Sequence, residues 1–179
     1  MALPVPDPPL GDGVVTLRPM ASGDLAAVER AAADPDIVRW FGDWDEPPAQ
    51  TLDSWMQAWR DGTAAALAVC DADGSFAGHL LVELRNSGRA HLEYWLLPEW
   101  RGRGLATRAL LVAARFAFAE LGLARLELWT EPENAASQRL AERAGFRREG
   151  VLRGYSEIGG RRVDAVFFGR LAGDPDPRQ

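Results

Sequence analysis

Lysine is absent from this chain of 179 residues, and all 20 basic residues are arginine. A phosphate loop of the G-x-x-x-x-G-K-[ST] kind is thereby excluded, because its lysine contacts the phosphates directly. There is one cysteine, Cys70. No internal disulfide can form, which fits a reducing, cytoplasmic setting. The apolar neighbours of Cys70 predict a buried small hydrophobe, not a reactive thiol. His79 and His91 are the only histidines, and neither stands at ligand spacing from a cysteine or carboxylate cluster. No metal site is expected. No run approaches the roughly 18 apolar residues of a membrane span. The opening MALPVPDPPLGDG has no basic segment leading into an apolar one, so it does not read as a secretory signal. Residues 1–13 read as a Pro-rich leader, and residues 172–179 (AGDPDPRQ) as a flexible tail. Net charge is −6 and the isoelectric point about 5.0. That balance disfavours nucleic acid as a partner and suits a cationic one such as an amine.

What is present describes one mixed α/β domain, residues 14–171. Val14–Arg18 alternates as a strand. A helix capped by Ser22 runs to about Ala33, with Leu25, Val28 and Ala32 at helical spacing. An aromatic connection, IVRWFGDWDEPP, leads to a second helix over Thr51–Arg60. Ala64–Cys70 and Phe76–Leu84 flank DADG, a hairpin turn signal. His91–Leu97 is a central strand, followed by a Gly/Arg-rich turn and a helix over Leu105–Leu121. Arg125–Thr130 is a strand. A shorter helix spans Ala135–Ala144, with Asn134 as cap and Gly145 just past its end. Phe146–Arg153 and Val163–Leu171 form a last strand pair turned near Gly159–Gly160.

The most informative stretch is Arg101-Gly102-Arg103-Gly104-Leu105-Ala106, between a strand and a helix. Two glycines allow a tight turn and close approach of a ligand to the backbone. The first N–H groups of the following helix are left free for an anion. Arg101, Arg103 and Arg108 crowd the positive end of that helix, where cations are mildly unfavourable. A multiply charged anion bound among them would explain the crowding. A dinucleotide fingerprint does not fit, because Thr107 occupies the place of its third glycine.

At this point the chain resembles the GNAT superfamily of N-acetyltransferases, in particular its RimJ/RimL type. That family's phosphate loop is written [QR]-x-x-G-x-[GA], and Arg101, Gly104 and Ala106 match its fixed positions. Tyr94-Trp95-Leu96-Leu97-Pro98-Glu99 is similar to the YWL-x-P-E that introduces the loop in RimJ/RimL-type members. Glu133-Asn134-Ala135-Ala136-Ser137 is similar to their E-N-x-x-S, followed by Gly145-Phe146. Weaker likenesses are LRPM at Leu17–Met20 and Gly160-x-x-x-Asp164.

The resemblance implies a GNAT fold: a twisted, mostly antiparallel sheet of about seven strands, splayed at the fourth and fifth, flanked by four helices. It implies acetyl-CoA as acetyl donor, no metal, and no nucleic-acid or membrane partner. A homodimer is common in the subgroup. The turn Arg101, Gly102, Arg103, Gly104, Leu105, Ala106 and Thr107 would hold the diphosphate through backbone N–H groups. Tyr94, Trp95 and Leu96 would pair with pantetheine and polarise the acetyl carbonyl, a donor role worth about 3 kcal/mol. Asn134 and Ser137 would line the cofactor near its sulfur.

The family's usual acid tyrosine is replaced here by Ala141, and its frequent glutamate base by Trp129. Ser137 is the substitute donor to the thiolate; Glu93 and Glu127 are the candidate bases, with a water chain as the alternative. The reaction would be direct attack of a neutral primary amine, from a protein N-terminus or a small molecule, on the thioester. Trp40, Trp44, Tyr155 and Asp164 are the candidate acceptor residues, with Phe41 beside them. Trp55 and Trp59, at i and i+4, read as core. A non-catalytic acyl-CoA-binding module is the alternative reading.

Overall fold

The computed structural model describes residues 2–177; Met1 of the leader and Arg178 and Gln179 of the tail lie outside the described residues. The strands are β1 (Leu10–Gly11), β2 (Val15–Pro19), β3 (Ala64–Asp71), β4 (Phe76–Arg85), β5 (Arg89–Leu96), β6 (Arg125–Thr130), β7 (Arg147–Ile158) and β8 (Arg161–Leu171). The helices are α1 (Leu25–Ala32), α2 (Pro35–Phe41), α3 (Pro48–Asp61), α4 (Leu105–Ala119) and α5 (Ala135–Arg143). Eight strands form one sheet in the order β1-β2-β3-β4-β5-β6-β8-β7. Every neighbouring pair is antiparallel except β5 and β6.

Strand alternation sorts the side chains onto two faces. Ala65, Leu67 and Val69 of β3 join Leu80 and Val82 of β4, Leu92 of β5, and Leu126 and Leu128 of β6 in a core shared with α4. The opposite face of β3, with Ala66, Ala68 and Cys70, packs with Val28 of α1 and Leu52 of α3. A third cluster joins Ala31, Ile37, Trp95 and Leu97 at the end of β5. Cys70 is buried in the second cluster, beside Val28 and Leu52, as expected, and burial pushes its thiol up. Trp59 joins the core, and Trp55 stacks on His79 at 4.0 Å.

Several local expectations shift for physical reasons. The leader enters the fold before Val14: Leu10–Gly11 pairs with β2, and Leu3 exchanges hydrogen bonds with Trp59. At the other end the chain is held by ion pairs of Asp174 with Arg147 and Asp176 with Arg115. Asp24, not Ser22, caps the first helical turn, accepting the Ala21 N–H at 2.9 Å while paired with Arg18. The aromatic connection contains a helix, α2. Its start is set by Asp34, whose carboxylate accepts the N–H groups of Asp36 and Ile37, and by Pro35 in the first turn. The second sequence-expected helix starts three residues early, at Pro48, for the same proline preference.

Candidate active site

β5 and β6 pair only over Arg89↔Arg125, Ala90↔Leu126 and His91↔Glu127, and then part. With β1 counted, the expected splay between the fourth and fifth strands falls here. β5 stays attached to β4 throughout, and Leu97 still donates to the Ala77 carbonyl. In an extended strand, alternate residues turn their N–H and C=O groups to opposite sides. Since Leu97 faces β4, the backbone groups of Tyr94 and Leu96 face the gap. The opening continues into a cleft of about 1010 Å³.

One end of the cleft is the turn before α4. Gly102 and Gly104 have φ of 75° and 77°, and a Cβ on either would meet nothing within 4 Å. The left-handed backbone there favours glycine, and the space outside it is open. Gly104 serves as the N-cap of α4 with no side-chain cap, and the first turn holds no acidic residue. The N–H groups of Leu105, Ala106 and Thr107, all lining the cleft, are available to an anion.

The arginines behave differently from expectation. Arg101 is spent on Asp34 (2.8 Å), Asp36 (2.7 Å) and the Leu96 carbonyl (3.0 Å). Arg108 pairs with Asp12 at 2.7 Å. Arg103 lies exposed over the Trp100 ring, 5.0 Å from its centroid. The crowded charges are thus largely balanced by carboxylates from elsewhere in the chain, which sequence spacing could not reveal.

Asn134 caps α5, its Oδ1 accepting the Ser137 N–H at 3.0 Å. The Ser137 hydroxyl lies 2.7 Å from the Tyr94 hydroxyl, so β5 and α5 are joined at the splay by two hydroxyls. Burial pushes the Tyr94 phenol up to about 12, despite the opposing hydrogen bond from Ser137. Both side chains line the cleft, as does Asn134.

On the other side of β5, alternation puts His91 and Glu93 on the Trp95 face. Burial and then Glu83 push the Glu93 carboxyl up, with Arg85 opposing, although its side chain remains 46% exposed. His91 Nε2 stands 3.8 Å from it, and burial lowers the imidazole, so it is neutral at neutral pH. Glu127, the other candidate base, is not brought into the cleft. It pairs with Arg125 at 3.1 Å, and that arginine also holds Glu149.

Of the candidate acceptor residues, Trp40 lines the cleft, with Phe41 and Trp129. Trp44 does not; it packs edge-on to Trp55 (5.8 Å) and against Trp95 (6.4 Å). Tyr155 lies behind Trp129, 5.5 Å away, and against Phe167. Asp164 accepts the Gly154 N–H at 2.7 Å, bracing the irregular part of the β7–β8 pair. Sequence reading missed Glu131, whose side chain is 1% exposed and is held by Arg39 and Arg161 at 3.0 and 2.8 Å. Its partners lie 92 and 30 residues away, so no local signal marks it.

The parted strand pair, the free helix N-terminus and the Tyr94–Ser137 hydroxyl pair all border the same cleft. Residues 15–147 match the acetyltransferase (GNAT) domain family. The spermidine N(1)-acetyltransferase of Escherichia coli K12 is 31% identical over 155 residues, covering 85% of this chain and 83% of that enzyme. An uncharacterised N-acetyltransferase, p20 of Bacillus licheniformis, is 36% identical over 165 residues, covering 88% and 92%. Among solved structures, Mycobacterium smegmatis RimJ in complex with CoA-disulfide superposes with a TM-score of 0.83 at 27% identity, covering 94% and 89%. This chain belongs to the GNAT acetyltransferase family, and it is an N-acetyltransferase with acetyl-CoA as donor.

Proposed function

We propose that the enzyme acetylates a primary amine, of a peptide N-terminus or a small molecule, held against Trp40, Phe41 and Trp129, with Glu93 as the proton acceptor. The observation that carries this reading is the division of β5. Its backbone and Tyr94 face the cofactor side, while Glu93 faces the aromatic side. The diphosphate rests on the N–H groups of Leu105–Thr107, and pantetheine pairs with the edge at Tyr94 and the Leu96 N–H, the Leu96 carbonyl being held by Arg101. That geometry supports an N–H from the same edge as donor to the acetyl oxygen, where charge develops in the transition state.

The acceptor arrives as an ammonium ion and must lose a proton before attack. Glu93, whose carboxyl is pushed up by burial, suits that task better than an ordinary surface carboxylate. The amine nitrogen then forms its bond to the acetyl carbon as the thioester C–S bond breaks, and it sheds its second proton to solvent to leave the neutral amide. Ser137, backed by Tyr94, donates a hydrogen bond to the departing sulfur. A cationic acceptor also gains from the aromatic faces around it. The same reading places the protein in the cytoplasm as a homodimer, without nucleic-acid or membrane partners. Exposed Val151, Leu152 and Tyr155 on the sheet-edge strand β7 support self-association, which light scattering tests.

The deciding experiment follows CoA release from acetyl-CoA with a thiol reagent, against a panel of N-terminal peptides and small amines. Acceptor-dependent release is expected for at least one amine class. Acetyl-CoA that raises the melting temperature but is released by no amine would favour a non-catalytic binding module instead.

A further inference from the structure

Arg101 is the first fixed residue of the phosphate-loop pattern, yet its guanidinium is taken up by other parts of the protein. Each of its three nitrogens has a protein acceptor: Nε donates to the Leu96 carbonyl, Nη1 to Asp36 Oδ2 and Nη2 to Asp34 Oδ1. Leu96 ends β5, the strand beside the cofactor gap. Asp34 and Asp36 open α2, which presents Ile37, Trp40 and Phe41 to the cleft. Planar, three-way hydrogen bonding of this kind fixes relative orientation as well as position.

We infer that Arg101 is a positioning residue: it fastens the acceptor wall, α2, to the cofactor turn, and is not a ligand of the diphosphate. This rests on the acetyl-transfer reading of the cleft above. Two carboxylates already balance its charge, and an added phosphate contact would have to compete with both. Asp34 is almost fully buried and caps α2 with the same oxygen that Arg101 holds. Burial pushes that carboxyl up, but the Arg101 guanidinium and the N–H groups of Ile37 and Asp36 outweigh it and hold it below the usual range. When a cofactor orders the turn from Arg101 to Gly104, the joint transmits that order to α2.

The test uses Arg101→Met, which keeps the stem and removes all three bonds. Calorimetry with CoA should give a Kd within about threefold of the parent, while the acceptor KM rises by about tenfold or more at a smaller cost in kcat. Hydrogen exchange in α2 should slow on adding CoA to the parent and should not respond in the variant. Asp36→Asn, at a side chain 73% exposed and so safe for folding, should raise the acceptor KM by a smaller factor. Arg101→Lys should recover part of the loss, because one ammonium can satisfy only some of the three acceptors. A CoA Kd weakened by about tenfold or more with the acceptor KM unchanged would overturn the inference and make Arg101 a phosphate ligand. CoA-dependent protection of α2 that persists in Arg101→Met overturns it too. That exchange experiment needs no acceptor, so it decides the inference even if the parent enzyme acetylates nothing in the panel.

Discussion

Tyr94 and Ser137 come from strands of sequence 43 residues apart and meet at 2.7 Å beside the expected position of the thioester sulfur. With the phenol raised to about 12 and an ordinary thiol near 8.5, neither hydroxyl surrenders its proton to the thiolate for good. On the reading proposed above, the pair stabilises the leaving sulfur by hydrogen bonding, and solvent supplies the final proton. Ser137→Ala should therefore lower kcat by about 10- to 100-fold, near the lower end for a positioned proton donor, with little change in acetyl-CoA KM. Tyr94→Phe should cost less, because Ser137 itself remains; equal losses in steady-state assays would show that the phenol contacts the sulfur directly. Glu93 gives a second prediction, with opposite signs for activity and stability. Its folded carboxyl is raised above the unfolded value, so its contribution to stability is present below the unfolded pKa and lost as pH rises through the folded one. At neutral pH the charge is thus unfavourable to the fold but, on the reading proposed above, needed by the reaction. Glu93→Gln should melt higher than the parent at pH 7, lose most of its turnover, and lose the acidic limb of its pH–rate profile. Retention of that limb would assign the base elsewhere.

At the scale of elements, β5 is the strand on which the site depends, and β4 sets its course. Gly78 of β4 sits opposite Leu96. A Cβ there would lie 2.6 Å from Leu96 Cδ2 and closer still to the Trp95 carbonyl oxygen. The glycine is required by contact with neighbouring backbone, which cannot yield as a flexible side chain can. Gly78→Ala should destabilise the protein by about 1–3 kcal/mol, lowering the melting temperature by roughly 2–4 °C per kcal/mol for a chain of this size. It should also raise the acetyl-CoA KM, because the displaced segment is the one beside the cofactor. A variant with parental melting temperature and parental KM would show that β4 and β5 are not held as closely as this. The helix α2 is the complementary case. Asp34 and Pro35 start it, and Gly42, with φ of 85°, ends it. Its aromatic content had made it look like a loop, because seven residues are too few to display helical periodicity.

Over the whole molecule, α4 and α5 pack on one face of the sheet and α1, α2 and α3 on the other. Apart from α2, the order of elements from β2 to β8 was legible in the chain, since alternation, caps and the glycines at 102, 104 and 145 act within a few residues of themselves. So were the glycine turn before α4 and the Asn134 cap, where backbone geometry and local chemistry suffice. Tertiary structure alone decided which charges are free. Arg101 and Arg108 read as anion ligands until Asp34, Asp36 and Asp12 arrived from 65 to 96 residues away. Glu127 read as a base until Arg125 took it, and Trp44 as a substrate contact until Trp55 and Trp95 enclosed it. Glu131 gave no sign at all before Arg39 and Arg161 closed on it. Backbone geometry is dictated by near neighbours along the chain, whereas a side chain's charge is dictated by whatever folding brings within a few ångströms of it.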